Sequence, residues 1–190
     1  MKSLNETTQL IRDEHKKLRG LFRQLEVLKS RSPEMVVPVL NELCLEIQLY
    51  LELEEKLLYP AAHQAIIAKT KEETAESEFI HDGLRDHREI VQAIRLLRGQ
   101  LESGQPLPFS SDWDDQIDEL VSLTDTYLNG EETKFLPFVH KNLPRIDASL
   151  SMNWFDLADQ IRARIHATTP ADPRHAQNPN GGEQLRKSSA

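Results

Sequence analysis

Apolar residues recur along the chain at intervals of three and four, the spacing that keeps side chains on one face of a helix. This pattern predicts four long helices. They cover about residues 7–29, 33–61, 74–102 and 112 to the prolines at 137 and 144. Helices of this length joined by short connections pack against their neighbours in opposite directions. The sequence therefore predicts an all-α fold, an antiparallel up-down four-helix bundle.

The C-terminal part of the sequence lacks the long periodic stripes of the four predicted helices. A short fifth helix is predicted from about Ser151 to Ile165, and it offers Trp154, Phe155, Leu157 and Ile161 for packing across the bundle. Residues 167–190 lack a periodic apolar face and are rich in Pro, Asn and Gly, a composition typical of disorder. We therefore expect one domain over residues 1–166 and a disordered tail over residues 167–190.

Charge and cysteine content narrow the partners and the compartment. The 190 residues carry a net charge of −8, which argues against nucleic acid and membranes as partners, because both attract cationic surfaces. The chain has one cysteine and no apolar run of transmembrane length. Its first residues also lack the apolar core of a signal peptide. A cytoplasmic location is expected.

Six polar residues lie on the apolar stripes, where burial costs free energy unless each group has a partner. Residues equally far from a connecting loop lie side by side in antiparallel helices. His87 and Tyr127, for example, are each 20 residues from a loop centre near Leu107. Counting in this way from every loop brings all six side chains into one layer between the helices: His15, Tyr50, Glu54, His87, Tyr127 and Glu131.

The polar residues also follow an internal repeat. YLELEEKLLYPAAH from Tyr50 recurs as YLNGEETKFLPFVH from Tyr127, and EHKKL around His15 is similar to DHREI around His87. Two helix pairs, each offering a histidine and a Tyr-x-x-x-Glu unit, form a pseudo-twofold site. Carboxylates that can bridge two ions, completed by imidazole or phenolate, are typical of paired metals in a bundle.

The segments EHKKLRGLF, EEKLLYP, DHREI and EETKFLP resemble, in order and spacing, the hemerythrin-like HHE cation-binding family over roughly residues 8–140. That family carries His-x-x-x-Glu in its second and fourth helices. In this chain both of those histidines are replaced, by Tyr50 and Tyr127. The resemblance implies two non-haem iron ions held by His15, Glu54, His87 and Glu131. It leaves open direct coordination by the tyrosines.

The implied function is the handling of O2, peroxide or NO in sensing, storage or detoxification. Reversible oxygen carriage is disfavoured, because phenolates are hard donors that stabilise iron(III). Two alternatives stay open: a metal-free bundle acting as a binding or regulatory module, and a redox-inert zinc or manganese protein. No sequence feature identifies a protein partner or decides between an enzyme and a non-enzyme.

Other polar residues are secondary candidates. Glu55 and Glu132 lie one position off the stripe and are interpreted as solvated or as supporting the ligands. His81 is a reserve ligand beside its stripe. His63 and His140 repeat in register but fall about half a turn from the site, unless the nearby prolines re-aim them.

Overall fold

The structure, a computed structural model, describes residues 6–32, 35–70, 75–102, 111–143 and 147–168. Within these ranges every regular element is helical, as predicted. The α-helices are α1 (Glu6–Arg31), α2 (Val36–Leu53), α3 (Tyr59–Thr70), α4 (Ala75–Glu102), α5 (Ser111–Gly130), α6 (Leu136–Asn142) and α7 (Asp147–Thr168). Two π-helical segments, Glu54–Leu58 and Glu131–Phe135, join α2 to α3 and α5 to α6 without a break.

Helix packing brings the predicted stripes together. Helix α1 packs against α2 and α5, α4 packs against α5 and α3, and α7 packs against α1 and α2. Two salt bridges show that α1 and α5 run in opposite directions. The later residue of α1, Lys29, contacts the earlier residue of α5, Asp118, and the earlier residue of α1, Arg19, contacts the later residue of α5, Asp125. The apolar stripe of α1, including Ile11, is buried in the resulting core.

The sequence predicts that Pro38 and Pro60 kink or shorten the second helix and that Pro137 and Pro144 close the fourth, but the described prolines do not end these helices. The helix continues past Pro60 to Thr70 and past Pro137 to Asn142. Proline lacks an N–H and its ring crowds the carbonyl four residues earlier. In both places a π-helical segment ends two residues before the proline, and its wider turn accommodates the missing hydrogen bond. Pro38 lies in the first turn of α2, where no intrahelical donor is needed. Pro33 and Pro144 lie outside the described residues.

Helix α7 is longer than predicted, since it begins at Asp147 and ends at Thr168. Trp154 is 1% exposed and packs in the core, but Phe155 is 59% exposed, so its predicted packing is wrong. Neighbouring residues point about 100° apart around a helix, which leaves only one of the two facing the core. Residues 167 and 168, which were predicted to begin the disordered tail, belong to α7, and the rest of the predicted tail, residues 169–190, lies outside the described residues. No described helix is long and apolar enough to span a membrane.

Candidate metal centre

The structure brings the six stripe residues into one hydrogen-bonded network with two halves. In the first half, His15 Nε2 lies 2.9 Å from the Tyr50 hydroxyl and 3.2 Å from Glu131 Oε2. The Tyr50 hydroxyl also lies 2.6 Å from Glu131 Oε2 and 2.8 Å from Glu54 Oε1. Tyr50 thus links one imidazole to both carboxylates, and the exposed fraction of each of these residues is 4% or less.

The second half repeats this arrangement around His87. His87 Nε2 lies 2.9 Å from the Tyr127 hydroxyl and 3.4 Å from Glu54 Oε2. The Tyr127 hydroxyl donates to Glu54 Oε2 at 2.5 Å. Each half therefore places one imidazole, one phenol and one carboxylate together, and Glu54 contacts the tyrosines of both halves.

The two glutamates next to the layer glutamates, Glu55 and Glu132, bind the Nδ1 atoms of the histidine rings, on the side away from the layer. His15 Nδ1 donates to Glu132 Oε1 at 2.8 Å, and His87 Nδ1 donates to Glu55 Oε1 at 2.9 Å. A carboxylate behind the ring fixes the tautomer and directs the other nitrogen toward a ligand, as in many metal-bound histidines. Both Nε2 atoms therefore face the shared layer. Arg19 supports only the first half, since its Nη1 donates to Glu132 Oε1 at 2.6 Å.

A third phenol, missed by the sequence analysis, enters the second half. The Tyr59 hydroxyl lies 2.8 Å from the Tyr127 hydroxyl and 3.2 Å from His87 Nε2. Five α-helical residues after Glu54, a side chain would lie about 140° off the site. Here the N–H of Tyr59 bonds to the Glu54 carbonyl in the π-helical pattern, which brings residue i+5 back to the same face. The sequence feature that could have indicated Tyr59 is the Tyr-Pro pair that follows the Glu-Glu pair.

Burial governs the charges in the layer. It raises the pKa values of Tyr50 and Tyr127 well above their ordinary value, and the negative charges of Glu131 and Glu54 add to this effect. Burial likewise raises the pKa of Glu54. For Glu131, burial is outweighed by hydrogen bonds from Glu54 and His15, so its pKa is lowered. The phenols of the layer thus stay neutral, and Glu54 keeps its proton to a higher pH than Glu131 does.

Burial also lowers the pKa of His87, although the hydrogen bond to Glu55 opposes it. A neutral His87 whose Nδ1 carries the proton has a free electron pair at Nε2. The position of this nitrogen beside Tyr127 and Glu54 suits a metal ligand.

The reserve histidines lie apart from this network. His81 and His63 are exposed, and no hydrogen bond of the described layer involves either of them. His140 is half-buried, and its Nδ1 atom is buried without a hydrogen-bond partner among the described residues. The prolines therefore do not re-aim His63 into the site. What the π-helical segment brings to the layer from this stretch is Tyr59.

The donor set suits a hard cation. Imidazole, carboxylate and phenolate oxygen together are ligands that iron accepts, and carboxylates can bridge two ions. Glu131 Oε1 is buried with no hydrogen-bond partner in the described part of the chain. This carboxylate oxygen is therefore available to a cation. Among the described residues, no three His, Cys, Asp or Glu side chains alone converge on one point. The phenols of Tyr50 and Tyr127 stand between each histidine and its carboxylate, so any ion there requires them as ligands or must displace them.

The part of the chain that carries the layer is similar to a known protein family. Residues 6–139 match the family model of the Hemerythrin HHE cation binding domain. This range includes both halves of the layer, both π-helical segments and Tyr59, and it ends before α7. No curated protein and no solved structure matches the chain. The chain therefore belongs to the hemerythrin HHE cation-binding domain family.

Proposed function

We propose that this hemerythrin-like, cation-binding protein holds two iron ions and handles dioxygen, peroxide or nitric oxide in sensing, storage or detoxification. The main support is the buried pair Glu54 and Glu131, which lies between two histidines whose Nε2 atoms face it. Two carboxylates with two imidazoles in one buried layer balance the charge of cations better than they balance each other. Bound iron would supply the redox change that these side chains do not provide.

The residues have separate roles in this proposal. His15 and His87 would bind through Nε2, and Glu132 and Glu55 hold their rings in place. Glu54, which contacts the tyrosines of both halves, would be the carboxylate within reach of both ions. This chain's departure from the family pattern, tyrosine for histidine at two positions, favours the oxidised state of iron and so favours redox turnover over reversible oxygen carriage.

The architecture belongs to the same proposal. The opposed contacts between α1 and the α5 chain support an up-and-down arrangement of four long helical units. In that arrangement each unit contributes to the layer: one histidine comes from α1 and one from α4, and the Tyr-x-x-x-Glu pairs come from the other two. A cytoplasmic location stays a prediction from the sequence.

Metal analysis of freshly purified protein tests the proposal. We expect about two iron ions per chain, as two ligand sets imply, and loss of both in the double variant His15→Ala with His87→Ala. The exposed His63→Ala variant is the matched control and should keep its metal. Full metal content in the double variant would place the ions elsewhere.

The tyrosines are tested by the visible spectrum of the iron-loaded protein. A trivalent ion can remove the phenol proton at neutral pH, because the phenolate gains a strong positive partner. Direct coordination then gives a phenolate-to-iron(III) band that Tyr50→Phe and Tyr127→Phe each weaken. If the phenols only hydrogen-bond to ligand carboxylates, the spectrum stays and metal affinity falls by about 10- to 100-fold.

A second candidate is a metal-free bundle, or one holding zinc or manganese, that acts as a binding or regulatory module. It is favoured by the completeness of the hydrogen-bonded network, in which every phenol and imidazole of the layer already has a partner. Protein purified without metal, with a thermal midpoint that added iron(II) leaves unchanged, would support the metal-free form.

A further inference from the structure

The two halves of the layer differ at two equivalent positions, one before the histidine and one after the glutamate. Gly83 precedes His87 by four residues, and the equivalent residue before His15 is Ile11. Tyr59 follows Glu54 by five residues, and the equivalent residue after Glu131 is Leu136. Ile11 and Leu136 are both buried. The half around His15 therefore has two apolar side chains where the half around His87 has a glycine and a phenol.

The glycine and the phenol depend on each other. A Cβ atom at Gly83 would collide with the hydroxyl group and ring of Tyr59. Glycine at this position therefore makes room for the phenol that reaches His87 and Tyr127. The repeat differs here in a matched pair of positions, one on α4 and one on α3.

A cavity of about 160 Å³ lies against this half. Its inner wall includes Tyr59, Tyr127 and Glu131, and the last of these has the buried Oε1 atom without a partner. Its sides include Gly83 and Gly130, which present no side chains. A protein cavity of about 150 Å³ can hold a molecule as large as benzene, so this cavity has ample room for a diatomic molecule or hydrogen peroxide beside the buried layer.

The outer wall of the cavity carries balanced charge. Arg85 and Lys134 are matched by Asp82 and Asp86, and Arg85 pairs with these aspartates at 2.9 and 3.3 Å. A wall with two cations and two anions creates no strong field to draw in an anion or a cation. Its charge suits a small uncharged molecule.

We propose that this cavity is the access route and docking site for a small uncharged molecule of the size of dioxygen, nitric oxide or hydrogen peroxide. The centre is then approached from the half around His87, through Tyr59 and Tyr127, although Glu131 of the other half also lines the cavity. The half around His15 is otherwise closed by Ile11 and Leu136, which are buried. Tyr59 is a positioning residue at the inner wall, where its hydroxyl separates the docked molecule from His87. The reaction at this place rests on the proposed function; the docking itself does not.

Docking is tested in the metal-free full-length chain by dissolved dioxygen, whose paramagnetism speeds the NMR relaxation of nearby nuclei. We expect the largest effects at the amides of Gly83, Thr126 and Gly130. Gly130→Leu should reduce them several-fold by filling the cavity, and Gly130→Ala should give an intermediate loss. A Cβ at Gly130 meets no atom within 4 Å, so the fold should tolerate these changes.

Gly99→Leu is the matched control. Gly99 also lies in a helix, and a Cβ atom there would meet nothing within 4 Å, but this glycine does not line the cavity. The substitution should leave the dioxygen effects unchanged. Weak, uniform relaxation over the whole chain, or equal effects of both leucine variants, would overturn the proposal.

Reaction with hydrogen peroxide in the iron-loaded protein gives the second arm. Gly130→Leu should slow the second-order step several-fold while metal content and visible spectrum stay as in the unaltered chain, and Gly99→Leu should not slow it. An unreactive unaltered chain would contradict the proposed function and leave the dioxygen arm to decide the docking site. A normal rate in Gly130→Leu, together with no dioxygen signal, would remove the docking site and leave the proposed function intact.

Discussion

At the scale of the residue, tyrosine in place of histidine at positions 50 and 127 changes the hydrogen bonding of the buried layer in the metal-free protein. A neutral phenol carries both a donor and two acceptor sites. Tyr50 contacts His15 and both carboxyl groups, and Tyr127 contacts His87 and Glu54. Each tyrosine therefore gives hydrogen-bond partners to groups that would otherwise be buried without them. A buried polar group without a partner costs about 1–3 kcal/mol.

The buried carboxyl group of Glu54 should make the metal-free protein sensitive to alkali. Because its pKa in the folded chain is raised by burial, the stabilising effect of its bound proton is complete below the ordinary value of 4.5 and is lost as pH rises through the folded pKa. Glu54→Gln keeps the shape and removes this titration.

We therefore expect the free energy of unfolding of metal-free Glu54→Gln to fall less than that of the unaltered chain between about pH 5 and pH 9, a range in which buried glutamates titrate. Urea unfolding at several pH values measures this. The exposed Glu89→Gln variant is the control. Parallel curves for the unaltered chain and Glu54→Gln would show that Glu54 is ionised throughout.

At the scale of the element, the two π-helical segments decide which residues face the layer. Each begins at a layer glutamate, Glu54 or Glu131, and each is followed by a proline that the helix does not end at. The extra residue in the turn shifts every later side chain relative to an α-helix. After Glu54 this brings Tyr59 into the layer, and after Glu131 it brings the apolar Leu136.

Glycine at position 83 is therefore predicted to be a packing requirement, whereas glycine at position 99 of the same helix is not. Gly99→Ala should stabilise the protein by about 0.5–1 kcal/mol, because alanine loses less backbone entropy on folding. Gly83→Ala should destabilise it by about 1–3 kcal/mol, the usual cost of overpacking.

Thermal or urea unfolding of the two alanine variants measures the difference. The double variant Gly83→Ala with Tyr59→Phe should recover part of the loss, since the colliding hydroxyl is gone. Equal stabilisation by both alanines would show that Tyr59 moves aside without cost.

At the scale of the whole molecule, α7 completes the core although it lies beyond the residues that match the family. Trp154 from α7 is 1% exposed, and its ring centre lies 6.3 Å from that of Tyr50. Helix α7 packs on α1 and α2, which carry His15 and Tyr50. It thus covers the closed half of the layer.

Trp154→Ala should lower the free energy of unfolding by about 3–5 kcal/mol, the usual cost of removing a buried aromatic side chain. Phe155→Ala next to it, on the 59% exposed side chain, should change it by no more than about 0.5 kcal/mol. Urea unfolding of both variants measures this. Similar losses for the two would mean that α7 contributes through its helix and not through the buried indole.

Some properties of this protein follow from its sequence alone. The three- and four-residue spacing requires helices, since only that period keeps the apolar residues on one face. The same spacing, counted from the loops, identified the six polar residues that meet in the layer. It also placed Glu55 and Glu132 just outside the layer, where they hold the histidine rings.

Tertiary structure decided the rest, because it depends on contacts that spacing along one helix does not contain. Pro60 predicted a kinked or shortened second helix and Pro137 an end to the fourth, but in the packed structure the chain stays helical past both and has a π-helical turn before each. That turn, together with the space at Gly83 on a different helix, brought Tyr59 to His87. The asymmetry between the two halves arises from pairs of residues on separate helices, and only the packed molecule brings those pairs into contact.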